Sequence, residues 1–251
     1  MFRLLSRFVG IAILATAVVN HPMQLSAFAE QALNSVSSAT NRGDKSNNSK
    51  PELATINLVR DEVRFTDRDG SRPVLWNTCE VVPVLINPGT YGDEGVKLIE
   101  RGIKELATLT GVRFKVTGIT DKVPTSRWYA EGGVEGFEGF APVIVAIVKR
   151  NETDLLADDA IGSAVANPAG EGRDRRLVTG AVALNEDSLS SITRGFKNGS
   201  SWGTILMHEL GHLAGLDHAP GGLMATTLSG SMKPSFSPAI VNVFNAYRPV
   251  C

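Results

Sequence analysis

The sequence is poor in histidine and cysteine, and it has no excess of charge of either sign. Its 251 residues include 4 His and 2 Cys, and the formal net charge is −1. That balance, without a stripe of basic residues, argues against binding to nucleic acid or to an anionic membrane surface. No unit of about 20–50 residues repeats along the chain, which argues against solenoids and propellers. Because His and Cys are few, a site built from imidazole or thiol groups can involve only a small number of residues.

Apolar runs long enough to cross a membrane are also lacking, and the longest apolar run lies near the amino terminus. It extends from Phe8 to Val19, after Arg3 and Arg7, and is shorter than the roughly 20 residues that cross a bilayer. Ala27-Phe28-Ala29 then has the small-x-small pattern of a cleavage site. We expect residues 1–29 to be a secretory signal peptide, with an uncleaved membrane anchor as the alternative. The mature protein would be secreted, with the periplasm or cell envelope as other destinations.

The rest of the chain divides into a polar leader and one domain. Residues 30–60 are rich in Ser, Asn, Ala and Lys, which predicts a flexible leader or short propeptide. Residues 61–251 alternate between strand-like and helix-like patterns, so we expect an α+β domain with a twisted sheet flanked by helices. The predicted elements are a turn at 67–70, strands at 80–86, 112–116, 142–148, 161–166 and 178–184, and helices at 93–109, 202–214 and 238–247.

Every histidine outside the predicted signal peptide lies between His208 and His218. His208 and His212 are four residues apart, so a helix projects both from one face, where they can reach one metal ion. Gly215 can end that helix and allow a sharp turn, which returns His218 as a third ligand. Three neutral imidazoles with an open fourth position are typical of a catalytic zinc site.

Glu209 lies on the same helix, which is apolar on nearly every side and is therefore expected to be buried. Burying a carboxylate without a partner is costly, so a catalytic role is indicated. Glu209 is rotated by about 100° from His208 and can hold the attacking water as general base. Satisfied core histidines or a chance match are the alternative. All positions of His-Glu-x-x-His-x-x-Gly-x-x-His are present, which favours zinc.

Residues 208–218 resemble the zinc-binding segment of the metzincin metalloproteases. Gly211, the run 213–218 and Leu223-Met224 are most similar to the matrixin branch, as found in small secreted bacterial proteases. The resemblance implies a mostly parallel sheet, an active-site helix, a C-terminal helix and a Met-turn. Met224 would be the Met-turn methionine beneath the metal, with an ordinary core methionine as the alternative. Residues 161–166 would be the edge strand that pairs with an extended substrate.

The chain also departs from that family. It has no further histidine for a second, structural zinc, so we expect one catalytic zinc ion. No cysteine-switch motif is present. Ala225-Thr226 replaces the Tyr-Pro that usually follows the methionine, so the preference of the specificity pocket cannot be carried over.

Two further features concern cysteine and calcium. Cys79 and Cys251 are an even pair in an exported chain, which favours one disulfide between them; two free thiols are the alternative. Calcium could bind the acidic residues at 185–187 or 158–159, although such side chains are more often solvated loop charges.

The sequence therefore predicts a secreted, monomeric zinc endopeptidase that acts on proteins or peptides. Glu209 is its predicted general base, and no nucleic acid or membrane partner is expected after cleavage. A secreted zinc-containing binding or toxin-like module without catalysis is the rival, and an amino- or carboxypeptidase is a second enzyme alternative. Glu209 favours catalysis, because a purely structural zinc site has no use for an acid beside an open metal position.

Overall fold

The computed structural model describes residues 63–70, 72–128, 139–157 and 159–247. The expected signal peptide and leader lie outside the described residues, as do Asp158 and Cys251. Among the residues that are described, no helix has both the length and the apolar character that a membrane span requires.

Seven strands are described, in a small hairpin and one larger sheet. They are β1 (Arg68–Asp69), β2 (Arg72–Pro73), β3 (Val81–Asn87), β4 (Arg113–Ile119), β5 (Val143–Val148), β6 (Gly162–Ala169) and β7 (Arg176–Asn185). β1 and β2 pair antiparallel around the predicted turn, where Gly70 has φ 61°. The other five form one sheet in the order β4-β3-β5-β7-β6.

The larger sheet is mostly parallel, as expected. β3 pairs in parallel with β4 and β5, and β5 pairs in parallel with β7. β6 alone runs antiparallel, next to β7, and is an edge strand. All six residues of β5 are buried, which explains its continuous run of apolar residues.

Within the described residues, four helices accompany the sheet: α1 (Gly92–Thr110), α2 (Glu186–Leu189), α3 (Trp202–Leu213) and α4 (Pro238–Tyr247). Short 3₁₀ turns occur at Gly89–Tyr91, Arg150–Glu152, Gly172–Asp174 and Gly222–Met224. The described part of the chain is thus a mixed α and β structure, with helices against a mostly parallel sheet. α3 contacts β6, β7 and α1, so it is enclosed between the edge of the sheet and the longest helix.

The close packing of α1 on α3 depends on Gly102. A Cβ atom at that position would be 2.6 Å from Leu206 Cδ2 and 2.8 Å from Leu210 Cδ1. Real Cβ atoms do not approach other atoms so closely, so a larger residue would displace these two leucine side chains or move the helices apart. α1 ends at Thr110 and is capped by Gly111, which adopts the left-handed conformation with φ 74° and donates its N–H to Ala107 O at 2.8 Å.

The carboxyl end of α3 is closed by a Schellman motif. Gly215 has φ 94°, and its N–H donates to His212 O at 2.9 Å, while the N–H of Leu216 donates to Gly211 O at 3.0 Å. The carbonyl of Leu213 accepts from the indole Nε1 of the distant Trp76 at 2.7 Å. A residue far along the chain therefore satisfies a polar group that the helix leaves without an intrahelical donor.

Replacing Trp76 with Phe tests this distant cap. Trp76→Phe keeps most of the buried ring but leaves the buried Leu213 carbonyl without its donor, so the free energy of unfolding should fall by about 1–3 kcal/mol. Urea denaturation measures the change. Trp128→Phe is the matched control, because the indole of Trp128 donates to Pro142 O at a half-buried position and its loss should cost less. An equal cost for the two variants would contradict the cap.

Candidate metal centre

Helix α3 is buried along its whole length, including its polar residues. Ser201 caps its first turn, where Oγ accepts from the N–H of Thr204 at 3.2 Å. The indole of Trp202 donates to Leu189 O at 2.8 Å and anchors the same end. His208 and Glu209 have no exposed surface, and His212 is 7% exposed. The sequence-based expectation of a buried helix with a polar patch is met.

The two helix histidines are oriented by backbone carbonyls. His208 Nδ1 lies 2.7 Å from Leu223 O, and His212 Nδ1 lies 2.8 Å from Leu216 O. A carbonyl oxygen can only accept, so each Nδ1 must carry the proton and each Nε2 must present a bare lone pair. A metal-binding imidazole is usually oriented in this way, through its second nitrogen.

The bare nitrogens of these histidines face each other. His212 Nε2 and His208 Nε2 are 3.1 Å apart, and with the tautomers above no proton lies between them. Two lone pairs at that distance repel unless a cation is shared. Tetrahedral zinc with Zn–N bonds of about 2.0–2.1 Å would separate two nitrogen ligands by about 3.3 Å. The observed separation therefore fits a pair of zinc ligands.

His218 completes a three-histidine group from outside the helix. Its ring is half-buried and lies 5.4 Å from the His208 ring and 4.7 Å from the His212 ring, between centroids. Its Nε2 atom is buried and has no hydrogen-bond partner. The ligand atoms of the three histidines all lie within 4.8 Å of one another. The donor set suits zinc, which readily takes imidazole nitrogen.

Burial keeps these imidazoles neutral. Desolvation, with a smaller effect of His212, lowers the pKa of His208 to about 3, and desolvation lowers the pKa of His212 to about 4. Burial also lowers the pKa of His218, although Asp217 opposes that shift. The neutral form is the one that binds a metal, so the ligands need not lose a proton at neutral pH.

The carboxylate of Glu209 is buried without a protein partner. Neither Oε1 nor Oε2 accepts a hydrogen bond, and burial raises the pKa of the carboxyl group to about 8. A cation bound by the adjacent histidines would oppose this shift, because opposite charge favours the ionised form. An unpaired buried acid beside an imidazole cluster is a common sign of a functional site.

The Glu209 side chain lies against Gly162, the first residue of the edge strand β6. A Cβ atom at Gly162 would be 2.8 Å from both Cγ and Oε1 of Glu209. Only glycine leaves room for the carboxylate there. The sequence predicts Gly162 in a strand but gives no sign of this contact, because no local pattern shows which distant side chain packs against a glycine.

The segment after His218 returns beneath α3 and contains Met224. The N–H of Ala219 donates to Met224 O at 2.9 Å and closes the loop, and the neighbouring Leu223 carbonyl holds His208. Met224 is buried, and its Sδ and Cε atoms occupy the space where a Cβ of Gly211 would lie. Met224 therefore packs against Gly211, the residue before His212.

Calcium binding and the Cys79–Cys251 disulfide are the remaining predictions about the site. In the predicted calcium segment 185–187, Glu186 Oε1 accepts a hydrogen bond from the hydroxyl of Thr90 at 2.7 Å. Within the described part of the chain, the three histidines are the only group of three or more His, Cys, Asp or Glu side chains placed to hold a metal. Calcium stays a prediction, as does the Cys79–Cys251 disulfide, because Asp158 and Cys251 lie outside the described residues.

Comparison with known proteins finds similarity among solved structures. No protein-family model matches the chain, and no curated protein matches it. Among solved structures, an archaemetzincin from Methanopyrus kandleri is 17% identical with a TM-score of 0.37; the match covers 66% of this chain and 93% of that one. Metalloproteinase-II from Bacteroides fragilis is 14% identical with a TM-score of 0.39, covering 75% of this chain and 59% of that one.

Enlarging Gly162 tests the contact with Glu209. Gly162→Ala should lower the free energy of unfolding by about 1–3 kcal/mol, because the new methyl group overlaps the carboxylate. Urea denaturation measures the effect. Gly118→Ala is the matched control on β4, where a Cβ meets only Leu85 Cδ2 at an ordinary 3.8 Å. The cost of Gly162→Ala should shrink in a Glu209→Ala background, and a cost independent of Glu209 would contradict the assignment.

The metal content of the purified protein tests the histidine group. We expect about one zinc per chain, since three imidazoles complete a single catalytic-type site. His218→Ala should lose zinc during dialysis against a weak chelator that leaves the native protein loaded. Elemental analysis measures both, and a ratio near two would require a second site that the histidine count does not provide.

Proposed function

We propose that the protein is a secreted zinc-dependent endopeptidase of the metzincin type, most similar to the matrixin branch. The observation that best supports this proposal is the carboxylate of Glu209, which is fully buried and has no partner. It lies beside imidazoles whose Nε2 atoms are unprotonated. Leaving such groups unsatisfied costs about 1–3 kcal/mol each, which a fold selected for stability alone would avoid. The complete motif from His208 to His218 and the position of Met224 support the same proposal.

The signal-like pattern of residues 1–29 supports the proposal of secretion. Catalysis is assigned to residues 61–251, acting as a monomer on protein or peptide substrates. The Cys79–Cys251 disulfide belongs to the proposal because an exported chain has an oxidising environment in which a bridge persists.

In the proposed mechanism His208, His212 and His218 would hold the zinc ion. When bound, zinc supplies a Lewis acid that polarises the peptide carbonyl and acidifies water. The carbonyls of Leu223 and Leu216 fix the rings of His208 and His212, so the metal ligands are oriented before substrate arrives.

Glu209 is the proposed proton carrier. Its carboxylate accepts a proton from the attacking water and returns it to the leaving amine. Because Glu209 is fully buried, charge interactions of its carboxylate are stronger than in solvent.

The edge strand β6 is the proposed guide for the substrate. It is the last strand of the described sheet, and its first residue, Gly162, touches Glu209. An extended peptide that pairs with β6 as an added strand would therefore pass close to the carboxylate. This route favours an endopeptidase, because an added strand can continue in both directions.

Glu209→Gln tests the proposed mechanism. The amide occupies the same volume but cannot accept the proton, so peptide hydrolysis should fall by about 10²- to 10⁴-fold while zinc content is retained. Cleavage of a peptide library, followed by mass spectrometry, measures both the rate and the position of the cut bonds.

The same library separates the rival functions. Native protein should cut internal bonds, lose activity with a chelator and regain it with added zinc. Near-native hydrolysis by Glu209→Gln would contradict the mechanism. Zinc retention with no hydrolysis of any peptide by the native protein would favour a non-catalytic binding module.

A further inference from the structure

The third histidine has no direct support for its ring. His208 and His212 are each held through Nδ1 by a carbonyl, but within the described residues no hydrogen bond to a carbonyl or side chain orients the His218 ring. Its backbone N–H donates to Asp217 Oδ1 at 2.7 Å, which is a contact with its own neighbour in sequence. The position of His218 must therefore come from the backbone that precedes and follows it.

A short segment from the amino-terminal side pairs with that preceding backbone. We name Val63–Asp67 the strap. The N–H of Thr66 donates to Gly215 O at 3.0 Å, and the N–H of Asp217 donates to Arg64 O at 2.8 Å. Between these bonds, Phe65 and Leu216 form an antiparallel bridge.

The pairing of the strap with residues 215–217 affects the positions of two histidine ligands. Leu216, which pairs with Phe65, is also the residue whose carbonyl holds His212 Nδ1 at 2.8 Å. Asp217, bonded to Arg64, directly precedes His218. Fixing residues 215–217 therefore fixes both the carbonyl behind the second ligand and the start of the third.

The strap is itself anchored at several points. Val63 is buried. The ring of Phe65 packs edge-on against Phe244 of α4, with centroids 6.0 Å apart. Asp67 Oδ2 accepts from Arg175 Nε at 3.1 Å and from Arg175 Nη2 at 2.7 Å. The ring of Phe65 and the carboxylate of Asp67 thus contact residues that belong to neither α3 nor the turn after it.

We infer that the strap, Val63–Asp67, is a positioning element of the metal site that sets zinc affinity through residues 215–217. The inference rests on the proposed three-histidine site but not on peptidase activity. It also assigns Val63–Asp67 to the working protein, so any processing of the leader must cut before Val63 for the site to keep its affinity.

The test compares zinc affinities of full-length variants by competition with a chromophoric chelator. Thr66→Pro removes the N–H that bonds Gly215 O and should weaken zinc binding by about 10- to 100-fold, the range seen when groups that orient metal ligands are lost. Thr66→Val keeps that N–H and removes only the 3.3 Å hydroxyl contact to Gly215 O, so it should weaken binding less.

Ser126→Ala is the control for a general loss of stability. It removes the hydroxyl bond to Asp154 Oδ2 at 2.6 Å, away from the strap, and should lower stability without weakening zinc binding. The absorption of the cobalt-substituted protein gives a second readout, because Thr66→Pro should shift the cobalt bands as the third imidazole moves, while Ser126→Ala should not.

Native affinity in Thr66→Pro would overturn the inference, as would an equal loss in Ser126→Ala. If circular dichroism shows that Thr66→Pro does not fold, Arg175→Gln decides, because it frees the Asp67 anchor and leaves the paired backbone intact. Weaker zinc binding in Arg175→Gln would support the strap, and unchanged binding would overturn it. Failure of the native protein to bind zinc would instead remove the proposed site itself.

Discussion

The constraint that shapes this site is the free-energy cost of burying ionisable side chains in helix α3 without partners. His208, Glu209 and His212 lie within a helix whose every residue is buried, and water cannot reach them freely. His208 and His212 each donate the Nδ1–H to a backbone carbonyl, which leaves the two Nε2 lone pairs directed at each other. Glu209 has no such partner. This imbalance is costly for a bare protein and is what a bound cation and a reacting water would relieve.

Close packing by glycine keeps those groups in place. Gly102 lets α1 approach α3, Gly162 admits the Glu209 carboxylate, and Gly211 admits Met224. The chain after the helix then supplies the orienting carbonyls, from Leu216 and Leu223. The enclosure of the helix and the orientation of its histidines are thus two results of one packing arrangement.

Much of this could be predicted from local sequence. Helical periodicity located α1, the continuous apolar run located β5, and the histidine spacing located the site because its ligands lie within eleven positions. β6 was predicted to end at 166 but extends to Ala169, across Pro168. An edge strand tolerates proline because one side of it needs no N–H donor, so the residue that marks a break in a central strand does not end this one.

Contacts between distant segments could not be predicted. Trp76 caps Leu213 across 137 positions, and Thr66 bonds Gly215 across 149. No periodic pattern encodes such pairings, because they are set by how the whole sheet and helices pack.

Zinc K-edge X-ray absorption of the purified protein tests the central claim most directly. The account predicts three imidazole nitrogens at about 2.0–2.1 Å and one further light oxygen ligand, which is the coordination of an open, catalytic site. A sulfur ligand at about 2.3 Å, or a shell with fewer than three imidazoles, would contradict it.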